Sequence, residues 1–505
     1  MENLMSGIAQ GIFSLADPMI LLMIFAGTVF GVVIGALPGL TSTMGVALLV
    51  PVTFGMSPEM GLALLGAIYC SSTYSGAISA ILINIPGTPA NCCTLLDGYP
   101  MTQKGESGRA IALATSASAF GGFISIFALL FMAPPLAEFA LKFGAQEYFL
   151  LALFGVSVIA SLSDRNMLKG LWAGALGLFL SIIGMHPLTG DVRFTAGIAE
   201  LYSGLPIVIA LIGLYSIPEV ISSLSGSDNS EKQVNAVGSG VISQMMELFK
   251  YKMLIFRATV IGIIVGIVPG AGSSIASFVA YDDAKRSSKT PELFGTGSPE
   301  GIIASETSNN AVVGGSLIPA LTLGVPGNAV SAVLIGGLMI HGLKPGPTLF
   351  IENSSIVYSF IMSLFVSNLA FIPVGLFIAR YGIKLIETPA SILGPLVIGL
   401  AVMGSYAINM SVVEIMLMLG IGLIGFLMKE FDVPREPLVL GLVLGSMAEG
   451  ELARAFSLVH GSVPMLLKSM ATSPLSLVII ALTLLSLWQG VRKQFLKKKS
   501  KRYTS

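Results

Sequence analysis

Gly31–Gly45, GVVIGALPGLTSTMG, and Gly262–Ala276, GIIVGIVPGAGSSIA, are two copies of one pattern, and the fold follows from how that pattern is read. Each is an apolar run that ends in Pro-Gly and continues into small hydroxylated residues. Pro38-Gly39 leads to Thr41, Ser42 and Thr43, and Pro269-Gly270 leads to Ser273 and Ser274. Proline removes a backbone donor, and glycine admits conformations that other residues avoid. Inside an apolar segment the pair predicts an interrupted helix, with a fresh helix N-terminus at or soon after the hydroxyl residues.

A second Pro-Gly element follows each copy: LINIPGTPAN from Leu82 to Asn91, and TLGVPGNAVS from Thr322 to Ser331. Between the two elements, Ser57-Pro58-Glu59 answers Ser298-Pro299-Glu300, and the change in offset places an insertion of roughly ten residues around Asp282 to Thr296. The chain therefore reads as a duplication.

Hydrophobic residues make up 54% of the 505 positions and charged residues 11%, against about 25% charged in an ordinary soluble domain. That balance specifies an all-α polytopic membrane protein whose environment is the lipid bilayer. The 58 glycines suit close helix packing and broken helices. A net charge of zero argues against a nucleic-acid partner. MENLMSGIAQ has no basic region of the kind that opens a cleavable signal peptide. Cys70, Cys92 and Cys93 form no C-x-x-C pair and read as small packing residues.

Apolar windows run from Met19 to Leu37, Gly61 to Ile85, Ala110 to Met132, Tyr148 to Leu162, Leu168 to Met185 and Leu205 to Leu224. After a polar linker they recur from Leu254 to Val268, Ile302 to Val325, Ser354 to Ile378, Ile392 to Tyr406, Val412 to Met428, Leu438 to Ser446 and Leu475 to Gln489. The pieces after the first Pro-Gly, Met44 to Val50 and Ile275 to Ala280, are short for full spans. Re-entrant arms and halves of a broken helix both fit them. The organisation expected is a first transmembrane repeat over 1–224, a cytoplasmic linker over 225–252, a second repeat over 253–462, and a C-terminal helix with a basic tail over 463–505.

Lysine and arginine orient the halves, since cytoplasmic loops carry the excess of them. The tail (Arg492, Lys493, Lys497, Lys498, Lys499, Lys501, Arg502) and the linker (Lys232, Lys250, Lys252) belong inside. In the first half the basic loops hold Lys104 with Arg109 and Arg165 with Lys169, while Pro51 to Pro58 has none; in the second, Lys285, Arg286 and Lys289 enter the early loop and Ser405 to Glu414 has none. Basic loops at non-equivalent places point to inverted-topology repeats, with the N-terminus periplasmic, the C-terminus cytoplasmic and one extra C-terminal helix, a parallel duplication being the alternative. Lys142 and Lys344 fall on the outer side in this scheme, against the rule.

A helix N-terminus offers unpaired N–H groups and about half a positive charge, enough to hold an anion without a full countercharge. Gly39, Ser42, Thr43, Gly270, Ser273 and Ser274 are therefore the candidate substrate-binding residues. Gly87, Thr88, Gly327 and Asn328 of the second elements, with Glu306, Asn309 and Asn310 from the polar run SETSNN, are candidates for a coupling ion or for gating. An acid at the bilayer centre costs about 3 kcal/mol, so Glu306 either has a purpose inside or sits near the headgroups. A second polar run, YCSSTYSG, spans Tyr69 to Gly76. Asp97, Asp282 and Asp283 look interfacial, and Glu449, Glu451 and Arg454 look paired with one another. His186, His341 and His460 lack metal-ligand spacing, so no metal site is expected.

At these residues the chain resembles the large membrane subunit of the tripartite tricarboxylate transporters. The likeness is carried by GALPGLTSTMG, AILINIPGTPANCCTLLDGYPMTQKGESGRA, GIVPGAGSSIASFVAYDDAKR, SPEGIIASETSNNAVVGGSLIPALTLGVPGNA and HGLKPGP, and it covers nearly the whole chain. The resemblance implies uptake of a small carboxylate across the bacterial inner membrane. It further implies a periplasmic substrate-binding protein and a small membrane subunit as partners, and a Na+ or H+ gradient as the energy source, with no other cofactor. The absence of a G-x-x-x-x-G-K-[ST] motif agrees. Two rival classes stand beside it: an ion or anion channel with the Pro-Gly elements as a filter, and an intramembrane enzyme, for which no H-E-x-x-H or G-x-S-x-G motif is present.

Overall fold

The structure is a computed structural model that describes residues 2–162, 167–186, 189–225, 241–382, 388 and 390–503. Helix α1 (Glu2–Ser14) precedes the first half, which contains α2 (Pro18–Ala36), α3 (Ser42–Leu49), α4 (Pro58–Ile83), α5 (Cys92–Gln103), α6 (Ser107–Ala140), α7 (Ala145–Leu162), α8 (Met167–Ser181) and α9 (Ile207–Ser225). The second half contains α10 (Lys252–Ile267), α11 (Gly272–Ser287), α12 (Pro299–Leu323), α13 (Ala329–Ile340), α14 (Ser354–Tyr381), α15 (Ala390–Asn409), α16 (Val412–Glu430) and α17 (Glu436–Leu458), followed by α18 (Val463–Thr472) and α19 (Pro474–Tyr503). Among the described residues, seven helices are long and apolar enough to cross a membrane, the first near the N-terminus and the last at Pro474–Arg492. A two-stranded ribbon, Gly184–Met185 against Val192–Arg193, joins α8 to α9.

The Pro-Gly elements break helices where the sequence places them. Leu37 closes α2, Gly39 takes φ 88°, and Thr41 caps α3 by accepting from the Met44 N–H. In the second copy Val268 closes α10, Gly270 takes φ 75°, and α11 begins at Gly272. A positive φ is the conformation for which glycine is needed. The eight residues of α3 rise only about 12 Å, far short of a hydrocarbon core of about 30 Å. Gly27 of α2 lies on Leu64 of α4 and Gly35 on Ser72, so α2 and α4 run parallel. The chain must therefore return between them, along α3 and the turn Pro51–Gly55. In the second half Gly262 lies on Ser308 and Gly266 on Gly315, so α10 and α12 are also parallel and α11 makes the return.

Helices α4 and α12 form the centre: Gly61 to Ile83 and Gly301 to Thr322 are buried without interruption. They cross antiparallel, because Tyr69 meets Ser316, Cys70 meets Asn310 and Thr73 meets Asn309. Four further helix pairs join one half to the other. α6 lies along α12 and α14 along α4, while α8 lies along α17 and α9 along α16. All four of these pairs are parallel. Gly121 and Ser125 of α6 meet Thr307 and Gly314, and Gly66 and Tyr74 of α4 meet Leu364 and Gly375. Gly177 and Ser181 of α8 meet Leu438 and Gly445, and Gly213 and Ile217 of α9 meet Met418 and Gly422.

Several expectations are corrected. Asp97, expected at the interface, is fully buried in the protein rather than exposed there: its Oδ1 accepts from the N–H groups of Gly295, Gly297 and Ser298 at 2.7–2.9 Å, and its Oδ2 accepts from Tyr281. The carboxylate thereby satisfies donors ahead of α12 that have no helical partner. The stretch read as the start of an insertion continues α11 to Ser287, its exposed face laced by Arg286–Asp282 and Arg257–Asp283 pairs. Glu451 pairs with Arg454, but Glu449 pairs with Arg193 of the ribbon. Two helices, not one, follow the second half. The linker's last residues form a turn, Met246–Tyr251, pinned where Glu247 accepts from Arg109 at 2.7 and 2.9 Å. Arg165, Lys232 and the rest of the linker from 226 to 240 lie outside the described residues.

Candidate functional site

One cavity of about 550 Å³ gathers all four Pro-Gly elements. The first elements contribute Thr41, Ser42 and Thr43 from one half and Gly270, Ser273 and Ser274 from the other; the second elements contribute Thr88 and Asn328. Tyr69 and Thr73 of α4 and Asn309 of α12 complete this polar wall. The N-terminal ends of α3 and α11, with their unpaired N–H groups, thus face one space from opposite halves.

The two elements of each half meet at a glycine. A Cβ placed on Gly87 would stand 2.1 Å from the Gly35 carbonyl oxygen, and one on Gly327 would stand 2.2 Å from that of Gly266. No side chain fits, so glycine is required for the second element to lie on the end of α2 or α10. Gly270 N–H donates to the Gly327 carbonyl at 2.8 Å, which ties both elements of the second half together. Gly39, Gly87 and Gly327 do not line the cavity; they shape the backbone that does.

The hydroxyls divide into two groups. Asn328 caps α13 through Ser331 and donates to the Tyr69 hydroxyl at 2.6 Å, and Tyr69 is 2.9 Å from Ser316. Thr88 donates to Asn91 Oδ1 at 2.6 Å. These side chains are already engaged within the fold. Ser42, Thr43, Ser273 and Ser274 are not committed in this way among the described residues and stand at the two helix N-termini, available to a ligand.

Glu306 is fully buried in the protein, behind the cavity wall. Its carboxylate accepts from Asn91 at 3.0 Å, from Ser118 at 2.9 Å and from Thr94. A buried charge must be hydrogen-bonded to be tolerated, and here three neutral donors from the first half hold an acid of the second. Through Asn91 and Thr88 the network reaches the cavity. Asn309 donates to the Thr73 carbonyl at 3.0 Å from the wall, and Asn310, one residue on, donates to the Cys70 carbonyl at 3.3 Å away from it.

Sequence reasoning missed the opposite wall, formed by Tyr215 of α9, the loop between α16 and α17, and the start of α17. There Glu219 binds both Lys429 and Arg435, each at 2.9 Å, and the Arg435 guanidinium lies 5.4 Å from the Tyr215 ring centre. Asp432 and Glu436 border the same wall. Their positions in the chain, at span ends far from any Pro-Gly, carry no signal that they meet the helix breaks. Among the described residues no cluster of His, Cys, Asp or Glu suited to a metal occurs.

A sequence model described as the tripartite tricarboxylate transporter TctA family matches residues 21–440. An uncharacterized 52.8 kDa protein from the TAR-I ttuC′ 3′ region of Agrobacterium vitis is 34% identical over 494 residues, 98% of each chain. An uncharacterized protein from the TAR-II ttuC′ 3′ region of the same organism is 31% identical over 223 residues, 44% of this chain and 90% of its own. No solved structure matches.

Proposed function

The chain belongs to the tripartite tricarboxylate transporter TctA family, and from that premise we propose that it is the large permease subunit of a secondary transporter importing a small carboxylate. A periplasmic binding protein delivers the substrate, a small membrane subunit assists, and a Na+ or H+ gradient across the bacterial inner membrane drives uptake. The observation that carries this reading is the single cavity into which both halves open their helix breaks. Substrate carboxylates are held there by the N-termini of α3 and α11 and by Ser42, Thr43, Ser273 and Ser274, with Lys429 and Arg435 adding positive charge across the cavity.

The halves are inverted-topology repeats in this proposal. Three observations support it. Both halves follow the same order of eight helices; the equivalent helices α4 and α12 cross antiparallel; and α8, parallel to α17, runs opposite to α16, which the short loop before Glu436 joins to α17. Such a frame permits one set of helices to rock against the other around a fixed site. Glu306 on α12, gripped by α5 and α6, is the element through which a bound ion senses that motion.

Uptake of labelled carboxylates into proteoliposomes holding both membrane subunits and the binding protein tests the proposal, with Na+ and pH gradients imposed separately. Accumulation that follows one gradient and exchanges with unlabelled substrate is the expected result. Uptake indifferent to both gradients, or conduction without exchange, overturns it in favour of a channel.

A further inference from the structure

Helix α19 runs unbroken from Pro474 to Tyr503 and changes character along its length. Its first part, Pro474–Arg492, is long and apolar enough to cross a membrane. One side of that part rests on α7, where Glu147 Oε1 accepts from Ser473, just ahead of the helix, at 2.7 Å and from Ser476 at 2.6 Å. The other side presents Leu477, Val478, Leu484, Leu485 and Trp488, each close to half exposed or more, and among the described residues nothing covers it. Trp488 stands near the end of the apolar part, and the Arg492 guanidinium, one turn on, lies 5.4 Å from a ring centre of its indole. An exposed Trp beside a cation at the end of a span marks the headgroup layer. The 19 residues from Pro474 to Arg492 rise about 28 Å, close to the hydrocarbon thickness of about 30 Å. The residues beyond Arg492 therefore start at headgroup depth.

Seven of the eleven residues from Arg492 to Arg502 are Lys or Arg, and no Asp or Glu follows Glu451 in the chain. Lys493, Lys497 and Lys501 fall four apart, as do Lys498 and Arg502. Like charges at that spacing on a helix repel, and the helix dipole favours cations only in the last turn. With no acid of its own, this part of α19 takes its countercharge from outside the helix. From Arg492 to Arg502 the helix rises about 15 Å. The headgroup layer spans about 5–7 Å of that, and the remainder is about one screening length of 8 Å at physiological salt. All seven positions thus lie within the headgroups or inside the reach of their field, and a tilt of the helix only brings them nearer.

We propose that Trp488 and the basic run from Arg492 to Arg502 form a binding surface for the headgroups of anionic phospholipids. Clusters of four to eight cations directly after a span bind acidic lipid in this way, each cation adding to the attraction. The lipid fixes α19 at one membrane face, while Glu147 fixes it at the other through Ser473 and Ser476. This contact goes beyond the transport reading and does not depend on what the cavity carries.

The test is electron spin resonance of spin-labelled phosphatidylglycerol and spin-labelled phosphatidylcholine with the purified full-length protein in phosphatidylcholine vesicles, which gives the preference for the anionic over the zwitterionic lipid at the protein surface. The wild-type protein should prefer phosphatidylglycerol, and high sodium chloride should weaken that preference. The fourfold variant Lys497→Gln, Lys498→Gln, Lys499→Gln, Lys501→Gln should lower it by at least about threefold. Should that variant fail to fold, Lys501→Gln with Arg502→Gln, at the far end of the helix, should lower it by a smaller factor. Equal association of the two lipids with the wild-type protein overturns the surface, and so does a preference that is the same in the wild type and the variants. Inorganic phosphate that displaces phosphatidylglycerol where chloride of equal ionic strength does not would mark a site for free anions and overturn the membrane contact. Loss of the small membrane subunit on substitution, with the lipid preference unchanged, would make the run a protein contact and overturn it as well.

Discussion

Gly327→Ala is the perturbation that most directly separates a substrate cavity built by helix breaks from an incidental hollow. The added methyl would stand 2.2 Å from the Gly266 carbonyl oxygen and 2.8 Å from the Cα and Cβ of Ser316. Carbon–oxygen contacts of this kind ordinarily begin near about 3.3 Å, so the second element must retreat from the end of α10 by about 1 Å. The obstacles are largely backbone of α10 and α12, which no rotamer change relieves. Overpacking of this kind costs about 1–3 kcal/mol, and the Gly270–Gly327 hydrogen bond lost in the retreat adds about 1 kcal/mol. A total of about 2–4 kcal/mol falls between two walls of the cavity and shifts Asn328 away from Ser273 and Ser274. At 1.4 kcal/mol per factor of ten, KM for uptake should rise at least about tenfold. The assay is proteoliposome uptake with protein amount and thermal midpoint measured on the same preparations. Gly87→Ala, which meets the Gly35 carbonyl in the matching position of the first half, should behave alike. Gly399→Ala, where an added Cβ meets nothing within 4 Å, is the control and should leave KM unchanged. Wild-type KM and midpoint in Gly327→Ala would refute the reasoning, because the close approach would then not be holding the site.

Ser42→Ala and Ser273→Ala should each weaken substrate affinity several-fold, about 1 kcal/mol per lost hydrogen bond, with expression intact; wild-type affinity in both moves the site elsewhere. Asp97→Ala leaves the N–H groups of Gly295, Gly297 and Ser298 without their shared acceptor and should destabilise the protein by about 3 kcal/mol or more, read as a lower melting midpoint. Asp97→Asn keeps one acceptor oxygen and should fall between, and equal midpoints for all three proteins would show the clamp to be idle. Pairing with Arg109 holds the Glu247 carboxyl below its ordinary value of 4.5. That pair therefore contributes fully above the ordinary value and is lost as pH falls through the lowered one. Hydrogen exchange of residues 246–251 should accelerate on acidification in the wild-type protein beyond the intrinsic pH effect, and Glu247→Gln should abolish that excess.

What the sequence determined by itself was local. Pro-Gly within an apolar run ends a helix wherever it is buried, since the missing N–H and the glycine backbone act within a few residues. The breaks at Leu37, Val268, Asn84 and Gly324 were therefore legible, as was the duplication. The reach of α11 was misjudged because Asp282 and Arg286 resemble loop residues in composition, yet pair at helical spacing. Only the tertiary structure decided what these local features face. The burial of Glu306 depends on Asn91, Thr94 and Ser118, roughly two hundred residues away in sequence; the burial of Asp97 depends on a loop some two hundred residues further on. The wall with Tyr215, Lys429 and Arg435 exists because α9 of one half packs on α16 of the other. Sequence periodicity reports which side of a helix is apolar, but in a bundle buried on all sides that pattern vanishes. In α4 and α12, polar and apolar faces alike are covered, so which oxygens meet a partner and which are left waiting is fixed by the crossing of helices alone.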